Sequence, residues 1–179
     1  AIGQSQAGTA AIFALVGGAP VTVAPKAAVP VVSKHVLEDS DGAWGKAADA
    51  TVGDDLYWRL CATIPAGLVG YDAYTVEFAD AMSAGLDLSK VASSARVYVA
   101  AGADGGFDAV TVSGGSVSVE PADGWKDITA GCAVSVDAEA NAFTVRTGDL
   151  VSVLGGAEKF AAGARVAVVY NAPLGANAN

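Results

Sequence analysis

Leu, Trp, Leu, Ala and Ile occupy every second position through residues 56–64, and Pro65 ends the run. A period of two places one set of side chains on one face of an extended strand. Other short runs rich in Val, Thr, Ser and Tyr recur between turns that contain Gly or Pro. The pattern therefore predicts an all-β fold, a β-sandwich with short helical insertions.

The predicted strands of the main domain are short and close together. A short helix is predicted to begin after Thr147, which is a candidate N-cap, and to end near Leu154. The predicted strands cover residues 31–36, 56–64, 74–80, 96–100, 110–112, 117–120, 133–136, 142–146 and 164–172.

Composition excludes several classes of function. The chain has 10 Lys and Arg against 19 Asp and Glu, so no basic surface is available for a nucleic-acid backbone. The longest apolar run, residues 10–17, is too short to cross a bilayer, so we expect no membrane contact by this chain. A single histidine, His35, argues against a metal site, and no cofactor motif is present.

Residues 11–16 and 21–24 are predicted to form two strands, joined by a Gly-Gly-Ala-Pro connection. The following residues, 25–30, contain two prolines and favour an extended link. We therefore predict a boundary here, with residues 1–29 as terminal strands of a preceding domain plus a linker, and residues 30–179 as the main domain. The chain lacks a starting Met and an anchor, so it is expected to be a piece of a longer protein.

Two cysteines, Cys61 and Cys132, allow one disulfide in an oxidising compartment. Two unpaired, half-buried thiols are the alternative, and the sequence leaves both open. Because Cys61 alternates out of phase with Leu60, it is predicted to lie on the less buried face of its strand.

Two ionisable residues stand inside runs that favour core strands: Lys34 near the start of the main domain, and Asp80. A charged side chain in such a place is costly unless it has a partner. The alternatives are ordinary ones. Lys34 could be an edge-strand lysine that discourages aggregation, and Asp80 a turn residue.

Six stretches in a fixed order give the chain a family resemblance. It resembles the fimbrial isopeptide-formation domain of Gram-positive pilin backbone subunits, an Ig-like, collagen-adhesin-like β-sandwich. The stretches are PVVSK at 30–34, VGDDLYWRL at 52–60, TIP at 63–65, YTVEFAD at 74–80, SAGL at 83–86 and VVYNAPL at 168–174.

The resemblance implies roles for particular residues. In that family a first-strand lysine is joined to an asparagine of the last strand with the help of an acidic residue, and these positions match Lys34 and Asp80. The usual asparagine position holds Gly175 here. Asn177, two residues further on, is the expected substitute because a shift of two keeps the strand face. Asn171 is the alternative, and Asn177 could instead be a frayed terminal residue.

The implied reaction is a single self-crosslinking event, so the chain is not expected to be an enzyme. A desolvated Lys34 amine would attack the amide carbon, a protonated Asp80 would assist, and ammonia would leave. The resemblance implies an extracellular location in a cell-wall fimbrium, with other pilin subunits as partners through sortase-mediated polymerisation. A second possibility is an adhesion module that binds a host protein or glycan through its loops.

Overall fold

The computed structural model describes residues 30–37, 42–68, 70–119 and 124–176. Within these ranges the chain forms eleven strands and three short α-helices. The predicted all-β class is therefore confirmed. The strands are β1 Val31–Leu37, β2 Trp44–Gly45, β3 Tyr57–Ile64, β4 Glu77–Ala81, β5 Arg96–Ala101, β6 Val110–Ser113, β7 Ser116–Val119, β8 Lys126–Asp127, β9 Ala133–Asp137, β10 Ala142–Arg146 and β11 Ala164–Asn171, and the helices are α1 Val91–Ser94, α2 Leu150–Leu154 and α3 Ala157–Phe160.

The strands form two antiparallel sheets and a separate hairpin. The larger sheet has the order β2-β1-β3-β11-β5-β8, the smaller one β4-β10-β9, and β6 pairs with β7. Strand β11 lies in the middle of the larger sheet, between β3 and β5. All eight of its residues are buried, which fits an apolar strand that has neighbours on both edges and both faces.

The main core lies between the larger sheet and the smaller one. The alternation predicted for residues 56–64 is confirmed, because Leu60, Ala62 and Ile64 face this core together. From the smaller sheet, Phe78 and Phe143 meet them. Residues 150–160, which include α2 and α3, add Leu150, Val151, Leu154 and Phe160 to the same core.

The opposite face of the larger sheet is also covered. Tyr98, Ala167 and Val169 pack there with Trp125 and with residues of the β6–β7 hairpin. Arg59 is buried on this face, where its guanidinium donates hydrogen bonds to the carbonyl oxygens of Phe107, in the loop before β6, and of Val110, the first residue of β6. The larger sheet is therefore a central layer with a core on each side.

The packing on this opposite face corrects the prediction that Cys61 lies on the less buried face of its strand. Both thiols are free in the structure. Cys61 does lie out of phase with Leu60, level with Ala167, but it is buried because the hairpin side is packed. Cys132 packs against the main core instead. The larger sheet thus separates the two thiols, and of the two alternatives the structure has the unpaired thiols.

The N-cap of α2 is not the residue that the sequence predicted. The N-cap is Asp149, whose carboxylate accepts hydrogen bonds from the backbone N–H groups of Val151 and Ser152. A third bond, from the backbone N–H of Tyr74, lowers the pKa of Asp149 most. Thr147 instead accepts a hydrogen bond from the backbone N–H of Val76. Thr147 is therefore not the cap, because its hydroxyl is used in a long-range contact.

The predicted strands and linker in residues 1–29 lie outside the described residues. Pro30 opens the described chain, and β1 follows it directly. In the described part of the chain, no helix has both the length and the apolar character that crossing a membrane requires.

Candidate functional site

Lys34 lies in the middle of β1 and faces the main core. Its Cα is level with Leu60 of β3, and Leu60 is level with Val168 of β11. Residues that are level in neighbouring antiparallel strands present their side chains to the same face. The Lys34 side chain extends across the sheet, and its Nζ lies 4.7 Å from the centroid of the Trp58 ring. This is a cation–π contact.

Asp80 approaches from the smaller sheet. It lies on β4, level with Phe143 of β10, so its side chain faces the same interior as that ring. The Lys34 Nζ and the Asp80 Oδ2 are 2.7 Å apart. The structure thus brings together the two ionisable residues that the sequence singled out, and it does so across the two sheets.

Tyr170 of β11 completes the group. Its hydroxyl donates a hydrogen bond of 2.7 Å to the same Asp80 Oδ2. Its ring is fully buried and meets the Phe143 ring edge-on, at 4.7 Å between centroids. Burial, and after it the Asp80 charge, raise the pKa of Tyr170 far above its ordinary value, so the hydroxyl keeps its proton and remains a donor. We call Lys34, Asp80 and Tyr170 the interlayer cluster.

Sequence reasoning missed Tyr170. The available signal was the alternation in the last strand, which puts Tyr170 on the same face as Val168. A tyrosine on a core face usually has a partner for its hydroxyl, and this one finds the only carboxylate of the cluster. The Oδ2 atom of Asp80 therefore accepts hydrogen bonds from both Lys34 and Tyr170.

The interlayer cluster is only partly shielded from water. The Lys34 side chain is 32% exposed and the Asp80 side chain 12% exposed. The two charges attract each other more strongly at this depth than at the surface, but desolvation offsets part of that attraction and solvent still screens it. Chemically, the cluster offers an amine, a carboxyl group and a proton donor within direct contact. To form a crosslink it lacks an amide carbon next to the lysine.

The structure does not bring Asn171 to this position. Asn171 is level with Tyr57, one residue beyond Tyr170, so its side chain lies on the opposite face of the sheet from Lys34. Its backbone N–H donates to the Ser94 hydroxyl. The physical reason is that successive side chains of a strand point to opposite faces, so Asn171 and Tyr170 face opposite sides of the sheet.

The usual asparagine position, Gly175, contacts the turn that follows β4. The Gly175 N–H donates a hydrogen bond of 2.7 Å to the Gly85 carbonyl. A side chain at this position would start 3.3 Å from that same oxygen, so it would lie against the turn that follows β4. Asn177, the predicted acceptor, lies outside the described residues.

His35, the neighbour of Lys34, faces the other side of the sheet, level with Arg59. Its Nδ1 is buried without a hydrogen-bond partner. Burial, followed by the charges of Arg59 and Lys46, lowers the pKa of His35. In the described part of the chain, no group of three or more His, Cys, Asp or Glu residues is placed to hold a metal ion.

This environment predicts a pH effect on stability. Because the folded state disfavours protonated His35, the domain should be fully stabilised above pH ~6.5 and lose stability as the pH falls from there through the lower folded pKa. Urea denaturation between pH 8 and pH 5 measures this. The variant His35→Gln should lose less stability over the same window. Parallel pH profiles for the two proteins would contradict the prediction.

Comparison with known proteins finds no matching family model and no similar curated sequence. Among solved structures, the pilus backbone RrgB of Streptococcus pneumoniae is 18% identical, with a TM-score of 0.48 over 83% of this chain and 47% of that one. The C-terminal domain of the antigen I/II-family protein AspA of Streptococcus pyogenes is 22% identical, with a TM-score of 0.45 over 78% and 37%. The C-terminal domain of the AgI/II polypeptide BspA of Streptococcus agalactiae is 20% identical, with a TM-score of 0.39 over 79% and 40%. This chain therefore spans less than half the length of each of them.

Proposed function

We propose that this chain is a structural domain of a Gram-positive cell-surface fimbria or adhesin, built to carry mechanical load. One observation carries the proposal: Lys34 of the first described strand contacts Asp80 of the opposite sheet at 2.7 Å. The family resemblance from Pro30 onward assigns these same two positions to the joint that stabilises pilin domains. The contact is thus in the place where a load-bearing sandwich needs one.

The position of the interlayer cluster suits this role. Among the described strands, β1 has one long partner, β3, since β2 pairs only with its last two residues. Pulling on the chain before β1 would peel this strand from the sheet, and a ladder at an edge resists such force weakly. Lys34 ties β1 to Asp80 in the other sheet, and Tyr170 ties Asp80 to the central strand β11. Peeling β1 must therefore also separate the two sheets at this point.

We further propose that the joint becomes covalent through Asn177. The Lys34 amine would attack Cγ of Asn177, the Cγ–Nδ2 bond would break, and ammonia would leave with a proton relayed by Asp80. The link would close a loop of 143 residues (177 − 34). A crosslink of this size contributes ~5 kcal/mol in the chain-entropy model, comparable with the whole stability of many domains.

Intact-mass spectrometry of the purified chain tests the crosslink. We expect a mass lower than the sequence mass by one ammonia molecule, and a peptide that joins Lys34 to Asn177 after digestion. Lys34→Arg keeps the ion pair but has no amine able to condense, so its mass should be unshifted. Asn171→Ala is the matched control, because this asparagine faces away, and it should retain the loss. An unshifted wild-type mass rejects the crosslink and leaves the structural role to be tested separately.

The role itself is tested on the source cells. Antibodies against this domain should label fibres on intact cells, and cell-wall extracts should show a ladder of high-mass covalent polymers that contain it. Labelling that appears only after lysis would contradict a surface location. A single monomer band together with surface labelling would favour an adhesin over a polymerised shaft.

A further inference from the structure

The outer edge of β1 is open within the described residues. From Val31 to His35 the one partner among the described strands is β3, because β2 begins its pairing at Val36. Val31 is 72% exposed and Val32 is 65% exposed, more than any other large apolar side chain in the described chain. An apolar edge with unpaired N–H and C=O groups is a site for the addition of another strand.

A suitable strand precedes this edge in the same chain. Residues 21–24 have the sequence Val-Thr-Val-Ala, and residues 25–30 separate them from β1. The two prolines favour extended backbone at the ends of this link, and the four residues between them, 26–29, are enough for a turn that reverses the chain direction. Residues 11–16, Ala-Ile-Phe-Ala-Leu-Val, follow the same strand-favouring pattern behind a Gly-Gly connection.

We propose that residues 21–24 add to the open edge of β1 as an antiparallel strand, with residues 11–16 as the next strand outward. The larger sheet would then continue beyond β1 rather than end there, and the leading segment would belong to this domain rather than to a preceding one. The strand adjacent in sequence is the preferred occupant because its local concentration at the edge exceeds that of a strand on any other molecule.

The added strand has a consequence for the interlayer cluster. With Val23 level with Val32, both Val21 and Val23 lie on the face that carries Lys34. They would cover the open side of the lysine, whose side chain is 32% exposed in the structure. Strand addition would therefore move Lys34 into a drier environment. This consequence bears on the proposed function, but strand addition itself does not depend on it.

Hydrogen exchange of the full chain, measured by NMR, tests the proposal. When a strand is hydrogen-bonded along one edge, every second amide is protected from exchange. When it is hydrogen-bonded along both edges, every amide is protected. We expect protection of every amide from Val31 to His35. Val23→Pro removes a donor and obstructs pairing, so it should speed exchange of the outward amides at least tenfold.

Two controls make the outcome decisive. Ser5→Pro places the same residue in the leading segment but outside the two apolar runs, and it should change nothing. Amides of β11 should stay protected in both variants, which shows that the fold is intact. Rapid exchange of alternate β1 amides in the wild type would overturn the proposal. Protection that disappears on dilution would also overturn it, because a second copy of the chain would then be the occupant.

Discussion

Replacing Tyr170 with alanine should lower the free energy of unfolding by about 3–5 kcal/mol, which is typical of a large aromatic side chain removed from a core. Tyr170 is fully buried, packs edge-on against Phe143, and bonds Asp80 through its hydroxyl. The substitution leaves a cavity at the centre of the sandwich and removes a donor from a carboxylate. Urea denaturation should show a lower midpoint with an unchanged slope.

The variant Tyr170→Phe separates the ring from the hydroxyl. It keeps the packing against Phe143 and removes only the bond to Asp80, so we expect a loss of about 1–2 kcal/mol. Tyr57→Phe is the matched control, because the Tyr57 hydroxyl bonds the Gly115 carbonyl at the exposed hairpin. Its effect should be smaller. Equal losses for Tyr170→Ala and Tyr170→Phe would show that the hydroxyl, and not the ring, dominates at this position.

The second large effect is expected at Gly163, directly before β11. Its φ is +84°, in the left-handed region that strains any residue with a Cβ. A Cβ at this position would lie 2.5 Å from the Ile64 carbonyl oxygen and 2.9 Å from the Ala103 Cβ. Backbone on one side must therefore move, and Gly163→Ala should cost about 3 kcal/mol or more, the sum of strain and overpacking.

The control for this position is Gly114→Ala in the β6–β7 turn. Gly114 also has a positive φ, of +57°, but a Cβ there would meet no atom within 4 Å. Only the backbone strain remains, so we expect a loss of about 1 kcal/mol. Thermal and urea denaturation of both variants measure the difference. Similar losses at the two glycines would mean that the crowding at Gly163 relaxes at little cost.

Several features follow from the sequence alone because they depend on neighbours in the chain. The period of two in residues 56–64 determines which side chains of β3 share a face, and the structure confirms it. The polar residues Lys34 and Asp80 are conspicuous because they interrupt apolar runs. Their contact could be anticipated from the cost of leaving either charge without a partner in a core.

Other features needed the packed molecule. Cys61 has the alternation expected of it, yet it is buried, because the face of the sheet that it shares with Ala167 is packed by distant parts of the chain. Thr147 is a residue type that often caps helices, but its hydroxyl accepts a hydrogen bond from the Val76 backbone N–H. Asp149 is the N-cap instead. Each error has the same origin. A local pattern shows what a residue can do, and distant residues decide which option is used.

The sequence by itself determined the fold class, the faces of the longest strands, and the two ionisable residues of the interlayer cluster. The tertiary structure decided that Tyr170 is their third partner and that Asn171 faces away. The physical reason is that side-chain direction repeats along a strand with a local period, whereas contact between sheets depends on the register of β1, β3 and β11 and on how the smaller sheet packs over them.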